Sequence, residues 1–144
     1  MTGDGQRWYA WLTPRLKVKG EKSCAGSEDG AFYAKGNGHL LSLRADVGFE
    51  RQSIGYVGHS DGWQDFHEHG EMTWTYDRAE DGNVALFGEL AAEEGVLALS
   101  FATSRCGVET LARSSLAVGF PSIRERVIQE WKERSVDWGA PAEY

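Results

Sequence analysis

Residues 53–90 constrain the fold more than any other part of the chain. They contain two strong turn signals, Ser60-Asp61-Gly62 and Asp81-Gly82-Asn83, in which glycine is expected to supply a positive φ. The strand-like runs around these turns cover residues 54–57, 72–76 and 84–90. Alternation with a period of two residues between Asp-Gly turns predicts an antiparallel meander with one packed face.

The same pattern continues on both sides of this segment. Asn37-Gly38 lies between extended runs and is typical of a β-hairpin, whereas residues 17–30 are predicted to be a polar loop that ends in the hairpin-type turn Glu28-Asp29-Gly30. Further strands are predicted over residues 7–12, 31–34, 40–45 and 96–102. With about seven short strands separated by turn residues, residues 1–103 are predicted to form an all-β, antiparallel β-sandwich.

The hydrophobic period changes after residue 103. Apolar and small residues then recur at spacings of three and four up to Gly119, which predicts a helix. Beyond it, Ile123, Val127 and Trp131 follow at four-residue intervals on one face of a second helix. Residues 104–144 are therefore predicted to be a helical exit segment and tail, with one or two short helices and an apolar stripe that needs a cover.

Charge and targeting features narrow the possible partners. The formal net charge is −7, whereas nucleic-acid affinity rests on clustered Lys and Arg, so we expect no nucleic-acid partner. We also expect no membrane partner, because no apolar run approaches the roughly 20 residues of a membrane helix. The first residues lack the features of a signal peptide, and Cys24 and Cys106 form no disulfide framework. A cytoplasmic location is the default expectation.

Residues 53–90 also carry a family resemblance. The sequence G-Y-V-G-x-S-D-G-W-Q-D, followed by M-T-W-T-Y-D-R-A-E-D-G-N-V-A-L-x-G-E-L, resembles the N-terminal domain of prokaryotic glucoamylases and glucodextranases, in glycoside hydrolase family 15. The likeness continues more loosely to residues 115–120 and is thinner upstream. It implies a supersandwich-like domain, of which this chain covers the later part. It also implies that the catalytic glutamates belong to a separate (α/α)6 barrel.

Nothing in the sequence corresponds to that barrel. The resemblance is therefore to part of a glucan 1,4-α-glucosidase, and a split gene, a truncation and a free-standing domain all stay open. Glycoside hydrolysis needs two carboxylates that face each other across a sugar. Most acidic residues between positions 61 and 89 lie in turns, where Asp is favoured for its local backbone hydrogen bonds. We expect no catalytic residue here and no hydrolysis by this chain alone.

Two segments invite a metal interpretation, and neither is complete. His67-Glu68-His69 would place two imidazoles on one face of a strand, but no third ligand stands at a zinc spacing. An exposed polar loop between strands is the alternative. Residues 77–82 imitate the start of a calcium loop, but Ala79 takes a ligand position and Gly88 replaces the bidentate Glu. We expect no metal and no cofactor.

Surface aromatics are the remaining candidates for function. Trp74 and Tyr76 share a face with Met72 and are predicted to be core. Trp63 follows a tight turn, so its side chain is expected at the surface. The candidate residues for an interdomain or sugar contact are Ser60, Asp61, Trp63, Asp65 and Trp131.

Three functions follow from these features. The first is a non-catalytic accessory domain of a glucoamylase-like α-glucan hydrolase, packed against the catalytic barrel in cis or in trans. The second is an independent carbohydrate-binding module that binds α-glucan through surface aromatics. The third is an enzyme in its own right. Unpaired sheet edges and the apolar stripe also predict self-association.

Overall fold

The computed structural model describes residues 6–16 and 23–135, which form two β-sheets and three helices. The alternating segments become strands because each can turn one face toward a core. The strands are β1 (Tyr9–Leu12), β2 (Cys24–Glu28), β3 (Ala31–Gly36), β4 (His39–Ala45), β5 (Phe49–Tyr56), β6 (Arg78–Ala79), β7 (Val84–Leu90) and β8 (Leu97–Ala102). The helices are α1 (Gly62–His69), α2 (Arg105–Val118) and α3 (Phe120–Ser135).

Both sheets are antiparallel. One has three strands in the order β1-β7-β5, and the other has five in the order β6-β2-β3-β4-β8. The hairpins on either side of β3 turn through Asp29-Gly30 and Asn37-Gly38, and all four residues have positive φ. Two-residue hairpin loops of type I′ require this geometry. The predicted β-sandwich and both turns are confirmed, whereas the loop predicted over residues 17–30 is wrong at residues 24–28, which form β2.

The main core lies between the two sheets. Ala10, Ile54, Val84 and Leu86 of the three-stranded sheet pack against apolar side chains of the larger sheet. Those side chains are Ala25, Phe32, Ala34, Leu41, Leu43 and Ala79. Removing apolar surface from water is worth roughly 25 cal/mol per Å², so this interface is the principal source of stability.

The smaller sheet leaves one edge of the larger sheet bare. In β8, Leu99 and Phe101 pair with Leu43 and Leu41, two core residues of β4, and therefore face the interior side of the sheet. Leu97, Leu99 and Phe101 are nevertheless 44%, 46% and 54% exposed. We call these three side chains the β8 overhang.

The two C-terminal helices are confirmed, and they differ in burial. α2 covers the outer face of the five-stranded sheet, where its buried Val108 packs against Ala31 and Tyr33. The Ser104 hydroxyl caps α2 by accepting a hydrogen bond from the Gly107 N–H at 3.1 Å. α3 follows α2 directly after Gly119, and none of its described residues is buried. No helix in the described ranges is long and apolar enough to cross a membrane.

The predicted turn at Ser60-Asp61-Gly62 is wrong, because α1 begins there. The Asp61 side chain accepts a hydrogen bond from the Gln64 N–H and so acts as the N-cap. An Asp-Gly pair is compatible with a turn and with a helix start. It follows that His67-Glu68-His69 is the last turn of α1 rather than a loop. The positive φ predicted at Gly82 is found at Asp81, where φ is 61°.

The predicted strand over residues 72–76 is also wrong. The backbone N–H groups of Thr73 and Trp74 donate to the Asp65 side chain instead of to a neighbouring strand. The short strand in this region is β6, which pairs with β2. Met72 is buried as predicted, but Trp74 is half-buried and Tyr76 is 47% exposed, so their prediction as core residues is wrong.

Candidate functional site

The structure brings together four of the five predicted site residues at the start of α1, namely Ser60, Asp61, Trp63 and Asp65. The Asp61 carboxylate is buried and accepts hydrogen bonds from the N–H groups of Gln64 and Gly58. The Ser60 hydroxyl accepts from the Tyr56 N–H at 3.1 Å. Both polar side chains are therefore engaged by backbone donors that lie within this same segment.

Asp65 is the most enclosed of the four residues, with no exposed surface. Its Oδ2 accepts hydrogen bonds from the N–H groups of Thr73 and Trp74, each at 2.7 Å. Its Oδ1 accepts from the Thr73 hydroxyl and lies 3.0 Å from Nδ1 of His69. Burial acts to raise the pKa of Asp65, but the hydrogen bonds outweigh it, so the pKa lies below its ordinary value. The carboxylate is thus an ionised anchor for residues 73 and 74.

Close contacts hold α1 against the three-stranded sheet. A Cβ atom at Gly62 would lie 1.9 Å from Cγ of Phe87, so the helix can approach β7 only with glycine at this position. Tyr9 of β1 stacks on Phe87, with ring centroids 5.4 Å apart, and meets Phe66 of α1 edge-on at 5.2 Å. These contacts fix the position from which Trp63 projects.

Trp63 stacks on Trp11, and both indoles stay open to solvent. Their ring centroids are 5.9 Å apart with an interplanar angle of 11°, and their exposed fractions are 55% and 50%. Trp11 reaches this place because β1 pairs with β7, which sets Trp11 opposite Phe87. We call these two residues the Trp11–Trp63 pair. Trp11 is not among the predicted site residues, since its partner is distant in the chain; the alternation in β1 is the available signal.

The fifth predicted site residue lies elsewhere, on α3. Trp131 is 64% exposed, Val127 is 42% exposed, and Ile123 is half-buried. The predicted stripe of these three residues, which we call the α3 stripe, is therefore present and mostly uncovered. The described chain provides no element other than α2 that packs substantially on this helix. The structure thus separates the candidate residues into two surfaces, one on α1 and one on α3.

A charged cluster that sequence analysis did not find lies at the start of α2. The Arg105 guanidinium sits over the Tyr33 ring, 3.1 Å from its centroid, and forms ion pairs of 2.9 Å with Glu28 and Glu109. The Tyr33 hydroxyl donates to Glu109 as well. The cluster borders a groove of about 390 Å³ between β2, β3 and β6. The one cation thus bridges a carboxylate of β2 and a carboxylate of α2, so the cluster joins α2 to the sheet.

The described residues offer no metal cluster around α1, and the buried carboxylates of Asp61 and Asp65 are taken up by backbone donors. Within residues 6–16 and 23–135, no three His, Cys, Asp or Glu side chains could hold a metal ion together. The two acidic side chains on the adjoining face, Glu71 and Glu89, both face Arg7, at 3.3 Å and 3.7 Å. The surface around α1 therefore offers a ligand the exposed rings of the Trp11–Trp63 pair, while the carboxylates of Asp61 and Asp65 face inward.

Comparison with known proteins places this architecture. The family described as glucodextranase, domain N, matches residues 1–134. The chain belongs to this family. It is thereby related to the N-terminal domain of glucoamylase-like enzymes, as the motif in residues 53–90 predicts. A search among curated protein sequences gives no significant match.

A solved structure supports the same assignment. The crystal structure of a bacterial glucoamylase complexed with acarbose matches this member of the glucodextranase domain N family with a TM-score of 0.79 and 25% sequence identity. The match covers 88% of this chain and 20% of the glucoamylase chain. The chain therefore spans about a fifth of that enzyme and corresponds to an accessory domain of a glucoamylase-like enzyme.

Proposed function

We propose that this chain is a non-catalytic accessory domain that packs against the (α/α)6 catalytic barrel of a glucoamylase-like α-glucan hydrolase. The α3 stripe is the contact surface. The observation that carries the proposal is that a helix of 16 residues has no buried residue among those described, although it carries an apolar face. The partner class follows from the family and from the glucoamylase match, in which four fifths of the enzyme lies outside the matched part.

The physical need for a cover comes from the helix itself. Isolated helices shorter than about 12–15 residues are marginal in water, α3 is only slightly longer, and most helical stability in proteins comes from packing of an apolar face. α3 obtains little such packing from α2, because Trp131 and Val127 remain 64% and 42% exposed. Burying them against a partner is worth roughly 1.5–3 kcal/mol for each side chain. Such a contact is adequate within one polypeptide and weak between separate chains.

Binding to a glucoamylase-type catalytic barrel tests the proposal. We expect the purified chain to bind a barrel that lacks its own N-terminal domain, with calorimetry as the measurement. Trp131→Ala should weaken this binding at least tenfold. Trp63→Ala is the matched control, because it removes an equally large exposed indole from a different surface and should change binding less than twofold. Equal losses in both variants, or no loss for Trp131→Ala, would contradict the proposal.

Activity measurements test the non-catalytic part separately. The purified chain should release no glucose from maltooligosaccharides, because the family resemblance implies that the catalytic glutamates belong to the (α/α)6 barrel, and this chain matches 20% of the glucoamylase chain. The proposal fails if glucose release survives repurification and disappears when one Asp or Glu of this chain is replaced.

The second candidate function is a carbohydrate-binding module, favoured by the Trp11–Trp63 pair. Exposed indole faces can pack against the C–H faces of a pyranose ring. In this case maltooligosaccharides should quench the tryptophan fluorescence of the isolated chain at millimolar concentration or below. Trp11→Ala and Trp63→Ala should abolish the quenching, and Trp131→Ala should leave it unchanged. The same variants therefore distinguish the two candidate functions: Trp131→Ala weakens binding to the barrel, whereas Trp63→Ala weakens binding to the sugar.

A further inference from the structure

We propose that β8 is a homodimerisation edge, through which two copies of this chain join their five-stranded sheets into one continuous antiparallel sheet. The inference does not rest on the proposed function, because it concerns a different surface from the α3 stripe. Three observations carry it: the free edge of β8, the β8 overhang, and the lack of charge along the strand.

The first observation is the direction of the backbone groups. β8 ends the order β6-β2-β3-β4-β8, and β4 is its one strand partner in the described ranges. The Asp46 N–H donates to the Val96 carbonyl at 3.0 Å, which identifies that pair as hydrogen-bonded within the β4–β8 register. Backbone groups alternate along a strand. The N–H and C=O groups of Leu97, Leu99 and Phe101 therefore point to the free edge.

The second observation concerns the side chains of those same three residues. They face the interior side of the sheet beside Leu41 and Leu43, yet about half of each is exposed. The residues between them, Ala98 and Ser100, are buried. One strand edge thus presents unpaired backbone groups and uncovered apolar side chains at the same three positions.

The third observation is that nothing in β8 protects the edge. Natural edge strands discourage pairing with Lys, Pro, bulges or inward-pointing charges. The β8 sequence, LALSFA, contains no charged residue and no proline, and its register with β4 has no shift.

These features point to a second copy of the chain as the partner, because the edge is self-complementary. A two-fold axis at Leu99 sets Leu99 opposite Leu99 of the second copy and Leu97 opposite Phe101. All six apolar side chains then lie on one face, and the three pairs exchange about six backbone hydrogen bonds. Such an isologous contact closes at two copies and forms no larger assembly.

The principal experiment is light scattering over a concentration series of the whole chain. We expect the wild type to show a reversible monomer–dimer equilibrium. Leu99→Lys should raise the dissociation constant at least tenfold, since it sets two like charges opposite each other across the axis. Leu111→Lys is the matched control, because Leu111 on α2 is 50% exposed, close to the 46% of Leu99. Its dissociation constant should change less than twofold.

A cysteine series tests the register. In a Cys24→Ser, Cys106→Ser background, Leu99→Cys should form a covalent dimer with a short bismaleimide, because the two thiols face each other. Leu97→Cys should not, because its counterparts are displaced by four residues, or roughly 13 Å along the strand.

The outcomes also separate this inference from the proposed function. Leu99→Lys should leave binding to the catalytic barrel unchanged, and Trp131→Ala should leave the dimer unchanged. A chain that stays monomeric at several hundred micromolar would overturn the inference. So would a growing series of larger oligomers, an equal effect of Leu111→Lys, or equal crosslinking of both cysteine variants.

Discussion

α1 and α3 both lie outside the sandwich core, and they are stabilised in opposite ways. α1 has eight residues, with an Asp61 cap at one end, a left-handed Gly70 (φ 73°) at the other, and Asp65 completely buried beneath it. α3 has twice that length and no buried residue among those described. Helix length is therefore a poor guide to how firmly a helix belongs to this domain. α1 is completed by its own contacts, whereas α3 presents a face that calls for a partner.

The largest effect on the contrast between α1 and α3 is expected from replacing Asp65, which holds residues 73 and 74 against α1. Asp65→Ala leaves the N–H groups of Thr73 and Trp74 without their acceptor, so we expect a loss of about 3 kcal/mol in the free energy of unfolding. Urea denaturation measures it. Asp77→Ala, at an exposed position beside the same segment, is the control and should cost less than about 0.5 kcal/mol. A small loss for Asp65→Ala would show that α1 is no better anchored than α3.

The second test changes the contact between α1 and β7. Gly62→Ala introduces a Cβ atom that would lie 1.9 Å from the Phe87 ring, and overpacking of this kind costs about 1–3 kcal/mol. We expect Gly62→Ala to lower the melting temperature. We also expect it to change the tryptophan fluorescence, because a displaced α1 moves Trp63 away from Trp11. Glu68→Ala, which is exposed in the same helix, should change stability by less than about 0.5 kcal/mol. If both variants have the same melting temperature, the close contact between α1 and β7 does not contribute to stability.

The third test sharpens the contrast with pH. Because the pKa of Asp65 is lowered in the folded state, its contribution is complete above the ordinary Asp value of about 4 and is lost as pH falls through the folded value. The stability difference between wild type and Asp65→Asn should therefore be constant near neutrality and shrink below about pH 4. A difference that stays constant down to pH 3, or grows there, would refute the role assigned to the carboxylate.

The smallest effect on stability is expected for a substitution in α3. Trp131→Ala should change the free energy of unfolding of the isolated chain by less than about 0.5 kcal/mol, because a side chain that is 64% exposed loses little packing. Chemical denaturation followed by circular dichroism measures it. A loss above about 1 kcal/mol would mean that the α3 stripe is already covered within this chain.

Local sequence signals predict most of the architecture. The turns at Asp29-Gly30 and Asn37-Gly38, the strands over residues 31–34, 40–45, 84–90 and 96–102, and the two C-terminal helices all depend on neighbours within a few residues, and these are confirmed. The predictions that fail concern segments whose structure depends on residues distant in the chain. Residues 72–76 have the alternation of a strand, but the Asp65 carboxylate takes the backbone donors that strand pairing would use.

The candidate site divides in the same way. Trp63 and Trp131 are found at the surface, as their local context predicts. Ser60, Asp61 and Asp65 were identified from the motif, but their hydrogen bonds to the surrounding backbone could not be read from composition or spacing. Trp11 was missed because its place beside Trp63 depends on the pairing of β1 with β7. The hydrophobic periodicity of a short segment carries no information about which distant strand it pairs with.

The pairing of β1 with β7 also has a consequence for how the domain is made. Tyr9 faces Glu89, eighty residues further along the chain, whereas the β2–β3 and β3–β4 hairpins close within a few residues. Closing a long loop costs more chain entropy than closing a short one, and topologies with distant contacts fold more slowly. On the ribosome, the larger sheet can start to assemble while the N-terminal strand still waits for β7 to be synthesised. We therefore expect β1 to join the sandwich last, and amide exchange during refolding to protect Ala34 and Leu41 before Ala10.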